Sequence, residues 1–113
     1  MNPITTKRPW GSFTQFTNNE PSTVKILHIN KGQEFSLQYH THRQEFWRII
    51  KGNPEIIIGD KTEYPHECDD FVITPHTNHR ISAPIDDVTV LEVSLGKFDE
   101  NDIVRLEDKY NRV

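Results

Sequence analysis

Short apolar runs separated by turn residues recur along the whole chain, and several of them alternate apolar with polar positions. In residues 87–95, Val88 and Val90 fall on one face of an extended chain, while Leu91 and Val93 fall on the other. This two-residue period is typical of β-strands, in which successive side chains point to opposite faces. The same pattern predicts further strands at residues 24–29, 34–42, 45–51, 55–58, 71–74 and 80–83.

Strands at this spacing, with no helical period between them, indicate an all-β sandwich or barrel of roughly six to eight antiparallel strands. The end of the chain has a different pattern. Residues 99–102 are rich in acids, as in the first turn of a helix, and Ile103, Leu106 and Tyr110 then recur at helical spacing. A short C-terminal helix packed on the barrel is therefore expected.

The beginning of the chain carries three aromatic residues outside the predicted strands, namely Trp10, Phe13 and Phe16. A small sheet with an open edge is prone to pair with other chains unless something covers that edge. These aromatic residues therefore suggest an extended N-terminal arm that covers an edge of the sheet.

The composition limits the class of protein. At 113 residues, of which 34% are hydrophobic, the chain predicts one domain over residues 1–113 with a modest core. The mean hydropathy is −0.70, and no apolar run is long enough for a membrane span. A single cysteine, Cys68, precludes an intramolecular disulfide, and residues 1–8 lack an apolar signal segment, so a cytoplasmic location is expected. The formal charge of −4 argues against a nucleic-acid partner bound by general electrostatics.

The densest chemistry lies in residues 38–45, which carry two imidazoles, a carboxylate and a side-chain amide. If this stretch is a strand, Gln38, His40 and His42 lie on one face. Glu45 begins the next predicted strand. Buried groups of this kind are costly unless something satisfies them, and a divalent metal would do so. For His40 and His42 alone, a solvent-facing polar strand is the alternative.

The spacing around this stretch resembles the first signature of the cupin superfamily, with glutamine in place of its first histidine. The residues at its positions are Gly32, Gln38, His40, Glu45 and Gly52. The second cupin signature supplies one more histidine after a proline-containing turn, and His79 takes that place in residues 73–80. The resemblance implies a metal held by Gln38, His40, Glu45 and His79, with His42 as an alternative ligand or a nearby base. Nitrogen and oxygen ligands without thiolate suit zinc as first choice, with iron(II), manganese or nickel as alternatives.

Three stretches look more specifically like the type II mannose-6-phosphate isomerases, and together they cover nearly the whole chain. They are Arg-Pro-Trp-Gly-Ser-Phe at residues 8–13, residues 35–47, and the tail at residues 98–112. The resemblance implies a cupin barrel, also called a double-stranded β-helix or jelly roll. It also implies an enzyme of the GDP-mannose pathway that interconverts mannose 6-phosphate and fructose 6-phosphate. In that family the cupin unit often follows a guanylyltransferase domain, which is absent here, so a stand-alone isomerase unit is expected.

The chain departs from the family pattern at two places. The family usually has proline and glycine before the last metal histidine, whereas Thr74 and His76 stand there with Pro75 between them. Asn111 occupies a position where the family often has glycine. The first departure reshapes the rim of the expected site, so it bears on the choice of substrate more than on metal binding.

An aldose–ketose isomerase needs a base to move a proton between C1 and C2, an electrophile for the enediolate oxygen, and a cation for the phosphate. His42 or a water activated by the metal would be the base, and the metal would be the electrophile. Arg43 is the first choice for the phosphate, ahead of Arg80 and Lys51. Trp47 shares a face with Glu45, and a place in the core is favoured over stacking on a sugar ring.

Two other functions stay open on the same residues. One is a non-catalytic cupin that binds a sugar or a sugar nucleotide, and the other is a different metal-dependent cupin enzyme. The expected partner is a small hexose phosphate, with no nucleic acid and no membrane, and the resemblance suggests a homodimer. Arg105 and Arg112 match the family's tail, and they either serve the site or pair with Asp102 or Asp108.

Overall fold

The computed structural model describes residues 3–112, and every regular element among them is a β-strand. This confirms the all-β prediction, although eleven strands are present where six to eight were expected. The strands are β1 (Ile4–Arg8), β2 (Gly11–Gln15), β3 (Ser22–Ile29), β4 (Leu37–Tyr39), β5 (Arg43–Lys51), β6 (Glu55–Ile58), β7 (Lys61–Glu63), β8 (Asp70–Ile73), β9 (His79–Ser82), β10 (Val88–Gly96) and β11 (Val104–Glu107). The described residues include no helix long and apolar enough to cross a membrane.

Two antiparallel sheets form the body of the molecule. One has the strand order β3-β10-β5-β8, and the other has the order β11-β4-β9-β6-β7. Strands β5 and β10 are nine residues each and pair along nearly their whole length, with Ser94 opposite Glu45 and Glu92 opposite Trp47. Directly paired residues share a face, so this register fixes which side chains point between the sheets.

The core lies between the two sheets. Its side chains come from the inward positions of the alternating strands, and each apolar one contributes about 1.5–3 kcal/mol when fully buried. The buried apolar residues of this cluster are Ile29, Trp47, Ile49, Ile56, Ile73, Ile81, Ala83, Val88 and Val90. Trp47 is completely buried among them, which confirms the favoured prediction for that residue.

A glycine lets two of these strands approach each other closely. Gly52 directly follows β5. Its φ is 95°, in the left-handed region that only glycine adopts without strain. A Cβ at this position would collide with the backbone oxygen of Asp87, just before β10 begins. The turn after β5 therefore depends on this glycine for space as well as for conformation.

The prediction of a C-terminal helix is wrong, because residues 104–107 form strand β11. This strand pairs with β4, placing Val104 opposite Tyr39 and Arg105 opposite Gln38. Strand β4 offers a free edge whose backbone groups need partners, and pairing satisfies them. After β11 the Asp108 carboxylate accepts hydrogen bonds from the backbone of Tyr110 and Arg112, which ends the extended segment in a turn.

The N-terminal segment also differs from its prediction. Strands β1 and β2 form a separate hairpin, and Trp10 at its turn is 72% exposed. Phe16, just after the hairpin, packs on Phe46 with ring centroids 5.2 Å apart. Phe46 points away from the core on β5, so this segment covers the outer face of the sheet at that point, whereas cover of an edge was expected.

Candidate metal centre

Three of the predicted ligands converge between the sheets. His40, Glu45 and His79 are 3%, 1% and 1% exposed, and they form one group that could hold a metal ion. The Nε2 atoms of the two histidines lie 3.2 Å apart, and each lies 3.5 Å from an oxygen of Glu45. Neighbouring ligands of a tetrahedral zinc lie about 3.3–3.6 Å apart when the metal–ligand bonds are about 2.0–2.2 Å. The spacing therefore fits a single divalent ion.

Backbone carbonyls fix the orientation of both imidazoles. The Nδ1 of His40 donates to the carbonyl of Asp102 at 2.6 Å, and the Nδ1 of His79 donates to the carbonyl of Thr77 at 2.8 Å. Because a carbonyl can only accept, the protons stay on Nδ1, and the Nε2 lone pairs face Glu45. Burial lowers the pKa of each histidine to about 4, so both rings are neutral and able to coordinate at neutral pH.

Gln38 stands beside this group on β4. Its Nε2 lies 3.4 Å from the Nε2 of His40, and its Oε1 accepts a hydrogen bond of 2.6 Å from the hydroxyl of Ser36. A metal would need the amide oxygen instead. A half-turn of the amide brings Oε1 to the cluster, and Ser36 can then accept from the amide nitrogen, because a hydroxyl both donates and accepts. Gln38 can thus serve as a fourth ligand without losing its partner.

Arg43, the first choice for binding the phosphate, lies inside the cluster. Its guanidinium donates to Glu45 Oε2 at 3.2 Å and to His40 Nε2 at 3.1 Å, and it stacks on the ring of Phe98 at 4.4 Å. A third contact runs to the carbonyl of Asp99 at 3.3 Å. Burial raises the pKa of the Glu45 carboxyl, and the positive charge of Arg43 opposes that rise.

His42 lies outside the cluster and is exposed, so the expectation that it shares the inward face with Gln38 and His40 is wrong. Strand β4 ends at Tyr39, and the chain then turns. Asp102 holds this turn, since its carboxylate accepts from the backbone of Thr41 and His42 and from the Thr41 hydroxyl. The Thr41 hydroxyl is the largest cause of a strongly lowered pKa for Asp102. The turn moves His42 out of the two-residue alternation.

Glu92 and Ser94 are functional candidates that motif reasoning missed. Both are buried on β10, next to Trp47 and Glu45 across the strand pair. Burial first, and then the nearby Glu45 charge, raise the pKa of Glu92 to about 7. The alternation that put Val88 and Val90 inward puts positions 92 and 94 inward as well, and this was the signal available in the sequence.

Buried polar atoms that lack partners concentrate in this region. Among residues 3–112 there are four such side-chain atoms: Glu45 Oε1, Trp47 Nε1, Ser94 Oγ and Arg105 Nε. A buried polar atom without a partner is costly, and such atoms often mark a place where a ligand or ion binds. Three of the four belong to β5 and β10 at the level of the cluster.

The remaining candidates lie elsewhere. Arg80 donates to the carbonyls of Phe35 and Glu107 and so ties the tail to the sheet. Arg112 Nε lies 2.6 Å from Asp108 Oδ2, and this ion pair is one of the two alternatives expected for Arg112. Five further polar residues are exposed at the surface: His28, Lys51, His66, Cys68 and His76.

Sequence comparison identifies a family. The profile of the family described as "Mannose-6-phosphate isomerase C-terminal" matches residues 2–108. A mannose-1-phosphate guanylyltransferase of Sinorhizobium fredii is 34% identical over 104 residues, which cover 90% of this chain and 20% of the relative. The chain spans about a fifth of the length of the curated relatives it matches.

Solved structures resemble the fold. The capsular polysaccharide assembling protein CapF from Staphylococcus aureus superimposes with a TM-score of 0.70 at 19% identity, over 94% of this chain and 34% of CapF. A cupin protein from Bacteroides fragilis superimposes with a TM-score of 0.60 at 16% identity, over 78% of this chain and 90% of that protein. At these identities the likeness concerns the fold alone, and it confirms the predicted cupin architecture.

Proposed function

Because the chain belongs to the family of mannose-6-phosphate isomerase C-terminal domains, we propose that it is a metal-dependent aldose–ketose isomerase that interconverts mannose 6-phosphate and fructose 6-phosphate. One observation carries the proposal: two neutral, oriented imidazoles and a carboxylate stand at ligand spacing on a buried surface. One of the three groups also lacks a partner of its own, since Glu45 Oε1 is buried without a hydrogen bond among the described residues, and such an atom is costly unless an ion or ligand satisfies it.

Gln38, His40, Glu45 and His79 would hold the metal. This set of nitrogen and oxygen donors suits zinc first, with iron(II), manganese and nickel as alternatives. When bound, the ion would act as a Lewis acid that stabilises negative charge on the sugar oxygens. The two backbone carbonyls behind His40 and His79 would keep the imidazoles in the required tautomer.

Glu92 is the better placed carrier for the transferred proton. In the isomerisation a base takes the proton from C2, the electrons of that C–H bond form the C1–C2 double bond, and the π electrons of the C1 carbonyl move onto O1. The O2 hydroxyl then gives up its proton, which O1 gains, and the C2 carbonyl forms while the C1–C2 π electrons take the carried proton onto C1. Glu92 is buried one strand away from Glu45, where water cannot easily exchange that proton. The predicted role of His42 as the base stays a prediction, and comparing His42→Ala with Glu92→Gln decides between them.

Arg43 would act as an electrostatic partner of the reacting oxygens. It carries a buried positive charge in contact with Glu45 and His40, and Phe98 supports its guanidinium from one side. A fixed cation in a site that excludes water stabilises developing negative charge strongly. Several relatives are named as mannose-1-phosphate guanylyltransferases, and an isomerase that makes mannose 6-phosphate would be consistent with a role in sugar-nucleotide synthesis.

The test joins metal analysis to a coupled assay. Protein loaded in turn with zinc, iron(II), manganese or nickel is supplied with mannose 6-phosphate, and fructose 6-phosphate is measured. His79→Ala should lose both bound metal and turnover, because it removes a ligand, while the exposed control His66→Ala should keep both. Absence of turnover with all of these metals, or full metal content in His79→Ala, would refute the proposal.

One observation favours a second candidate, a non-catalytic unit that binds a sugar or a sugar nucleotide. Arg43 donates to the same two atoms, His40 Nε2 and Glu45 Oε2, that a metal would need. A guanidinium in that position neutralises the carboxylate by itself. Binding of GDP-mannose by protein that stays free of metal and without turnover would favour this candidate.

A further inference from the structure

A row of inward-facing residues crosses the five-stranded sheet from the cluster to its edge. Across strands β9, β4 and β11, His79 lies opposite Gln38, and Gln38 lies opposite Arg105. Directly paired residues share a face, so Arg105 points to the same side as the two candidate ligands. Strand β11 is the end strand of this sheet. Arg105 therefore stands at the rim of the surface that carries the metal centre.

Arg105 differs from the other arginines of this part of the chain in having no partner for its buried nitrogen. Its Nε is one of the four buried polar atoms without a hydrogen bond among the described residues. No carboxylate lies within ion-pairing distance of it among residues 3–112. By contrast, Arg80 is bound by two carbonyls and Arg112 by Asp108. A buried guanidinium nitrogen left without a partner lowers stability, which is expected where a ligand supplies the missing acceptor.

We propose that Arg105 binds the phosphate end of an open-chain sugar phosphate whose carbonyl end lies at the His40–Glu45–His79 cluster. Two strand spacings separate Arg105 from His79 along the row, which is about 10 Å between their backbone positions. An open-chain hexose 6-phosphate carries its phosphate at the end opposite its carbonyl, so one molecule spans a distance of this order. The planar fork of arginine binds phosphate through two parallel hydrogen bonds.

The opposite sheet also has a cation on its end strand, but that cation already has a carboxylate partner. Lys25 lies on β3, the end strand of that sheet, and it is paired with Glu92 on β10. Its ammonium is held by Glu100 at 3.1 Å and lies over the ring of Phe98 at 4.4 Å. A cation thus stands at the end strand of each sheet, while the coordinating groups lie further in.

This inference rests on the proposed function, since it names the phosphate subsite of the same centre. The test uses the whole chain as purified and two probes that cannot be isomerised, mannitol 6-phosphate and mannitol, with calorimetric measurement of affinity. Arg105→Met should bind mannitol 6-phosphate about 10- to 100-fold more weakly, the worth of one or two charge-assisted hydrogen bonds. It should leave the affinity for mannitol unchanged, and Arg105→Lys should fall between the two.

Two controls separate this role from a structural one. The melting temperature of Arg105→Met without ligand should not fall, because the side chain has no partner to lose, whereas loss of a structural arginine would lower it. Arg48→Met removes an arginine that pairs with Asp70 on the outer side of the molecule, and it should leave the affinity for both probes unchanged. If Arg105→Met does not fold, Arg105→Lys carries the comparison.

The possible failures are distinguishable. If wild-type protein turns over mannose 6-phosphate and Arg105→Met binds mannitol 6-phosphate as tightly as wild type, the phosphate role is wrong and the isomerase stands. If Arg105→Met loses mannitol 6-phosphate while wild type shows no turnover, the isomerase is wrong and the phosphate role stands. Equal weakening for both probes, or no binding of mannitol 6-phosphate by wild type, overturns the phosphate role.

Discussion

The space between the two sheets has an apolar half and a polar half, and the two are buried to the same degree. The apolar half contains Ile49, Ile56, Ile81, Val88 and Val90, all 1% exposed or less. The polar half contains His40, Glu45, His79, Glu92 and Ser94, of which none is more than 7% exposed. Equal burial has opposite energetic consequences, because apolar groups gain free energy on leaving water and polar groups lose it.

The same strands supply both halves. On β9, His79 and Ile81 are two positions apart, and on β10 the same step separates Val90 from Glu92. On β5, Glu45 is followed four positions later by Ile49. The inward-facing positions of each strand thus include both apolar residues that stabilise the barrel and polar residues that could bind a metal or a substrate. The apolar half offsets the cost of the polar half and holds it in place.

Ile81→Ala tests whether the apolar half carries the stability without contributing to the site. Ile81 is completely buried, so removing its side chain should lower the free energy of unfolding by about 2–5 kcal/mol, measured by urea denaturation. The folded fraction should still bind metal. Ile85→Ala, at a residue that is 63% exposed, is the matched control and should change stability little. Loss of metal from folded Ile81→Ala would show that the two halves are not separable.

Glu92→Gln tests whether a buried acid of the polar half costs stability, and the sign follows from its pKa. The pKa of this carboxyl is raised from 4.5 to about 7 in the folded protein, so the folded state holds the proton more tightly than the unfolded state. The wild type therefore loses stability from this group as the pH rises from 4.5 to 7, and the penalty is complete above pH 7. In metal-free protein, Glu92→Gln should be more stable than wild type at pH 8, by on the order of 2–3 kcal/mol.

The same variant should differ little from wild type at pH 4.5, where the carboxyl is protonated in the folded state and half protonated in the unfolded state, so that most of the penalty is absent. Urea midpoints at the two pH values measure the effect. Glu63→Gln replaces an exposed acid of β7 and should change the midpoint little at either pH. A Glu92→Gln variant that is less stable than wild type at pH 8 would mean that the charged carboxylate is held by favourable contacts.

The apolar half was predictable from the sequence because two-residue alternation is a local signal. The prediction of strands at residues 45–51, 55–58 and 87–95 matches β5, β6 and β10 to within two residues at each end. The polar half was predictable only in part. His40, Glu45 and His79 were found through motif spacing, whereas Glu92 carries no motif and its significance comes from the burial of β10 against Glu45.

The errors share a physical cause, which is pairing between distant parts of the chain. Residues 99–110 have a helical period, but the open edge of β4 pairs with β11 and overrides it. The two-residue alternation would place His42 on the inward face. The Asp102 carboxylate, 60 positions away in sequence, instead accepts a hydrogen bond from the His42 backbone and stabilises a turn there. For the same reason the sequence left Arg105 between serving the site and pairing with an acid of the tail, since a helix would not have placed it opposite Gln38.

The two departures from the family pattern both fall where the backbone is left-handed. His76 has a φ of 65°, where the family usually has glycine, and Asn111 has a φ of 61°, where the family often has glycine. Glycine adopts this conformation freely, asparagine tolerates it, and other residues pay about 1–2 kcal/mol. His76 lies in the turn that leads into His79, and its backbone donates to the carbonyl of His40 at 2.7 Å. The polar half thus carries backbone strain beside its chemistry.

His76→Gly tests whether the polar half carries backbone strain, and it has the smallest expected effect on stability. The substitution should raise the free energy of unfolding by about 1 kcal/mol, because it relieves the left-handed strain and keeps the backbone bond to His40. Asn111→Gly makes the same change at the tail, where asparagine already tolerates the conformation, so its gain should be a few tenths of a kcal/mol at most. Chemical denaturation of both variants measures the difference. If His76→Gly were less stable than wild type, contacts of the imidazole side chain would have to outweigh the strain. One such contact is with Tyr39, whose ring centroid lies 6.1 Å from that of His76.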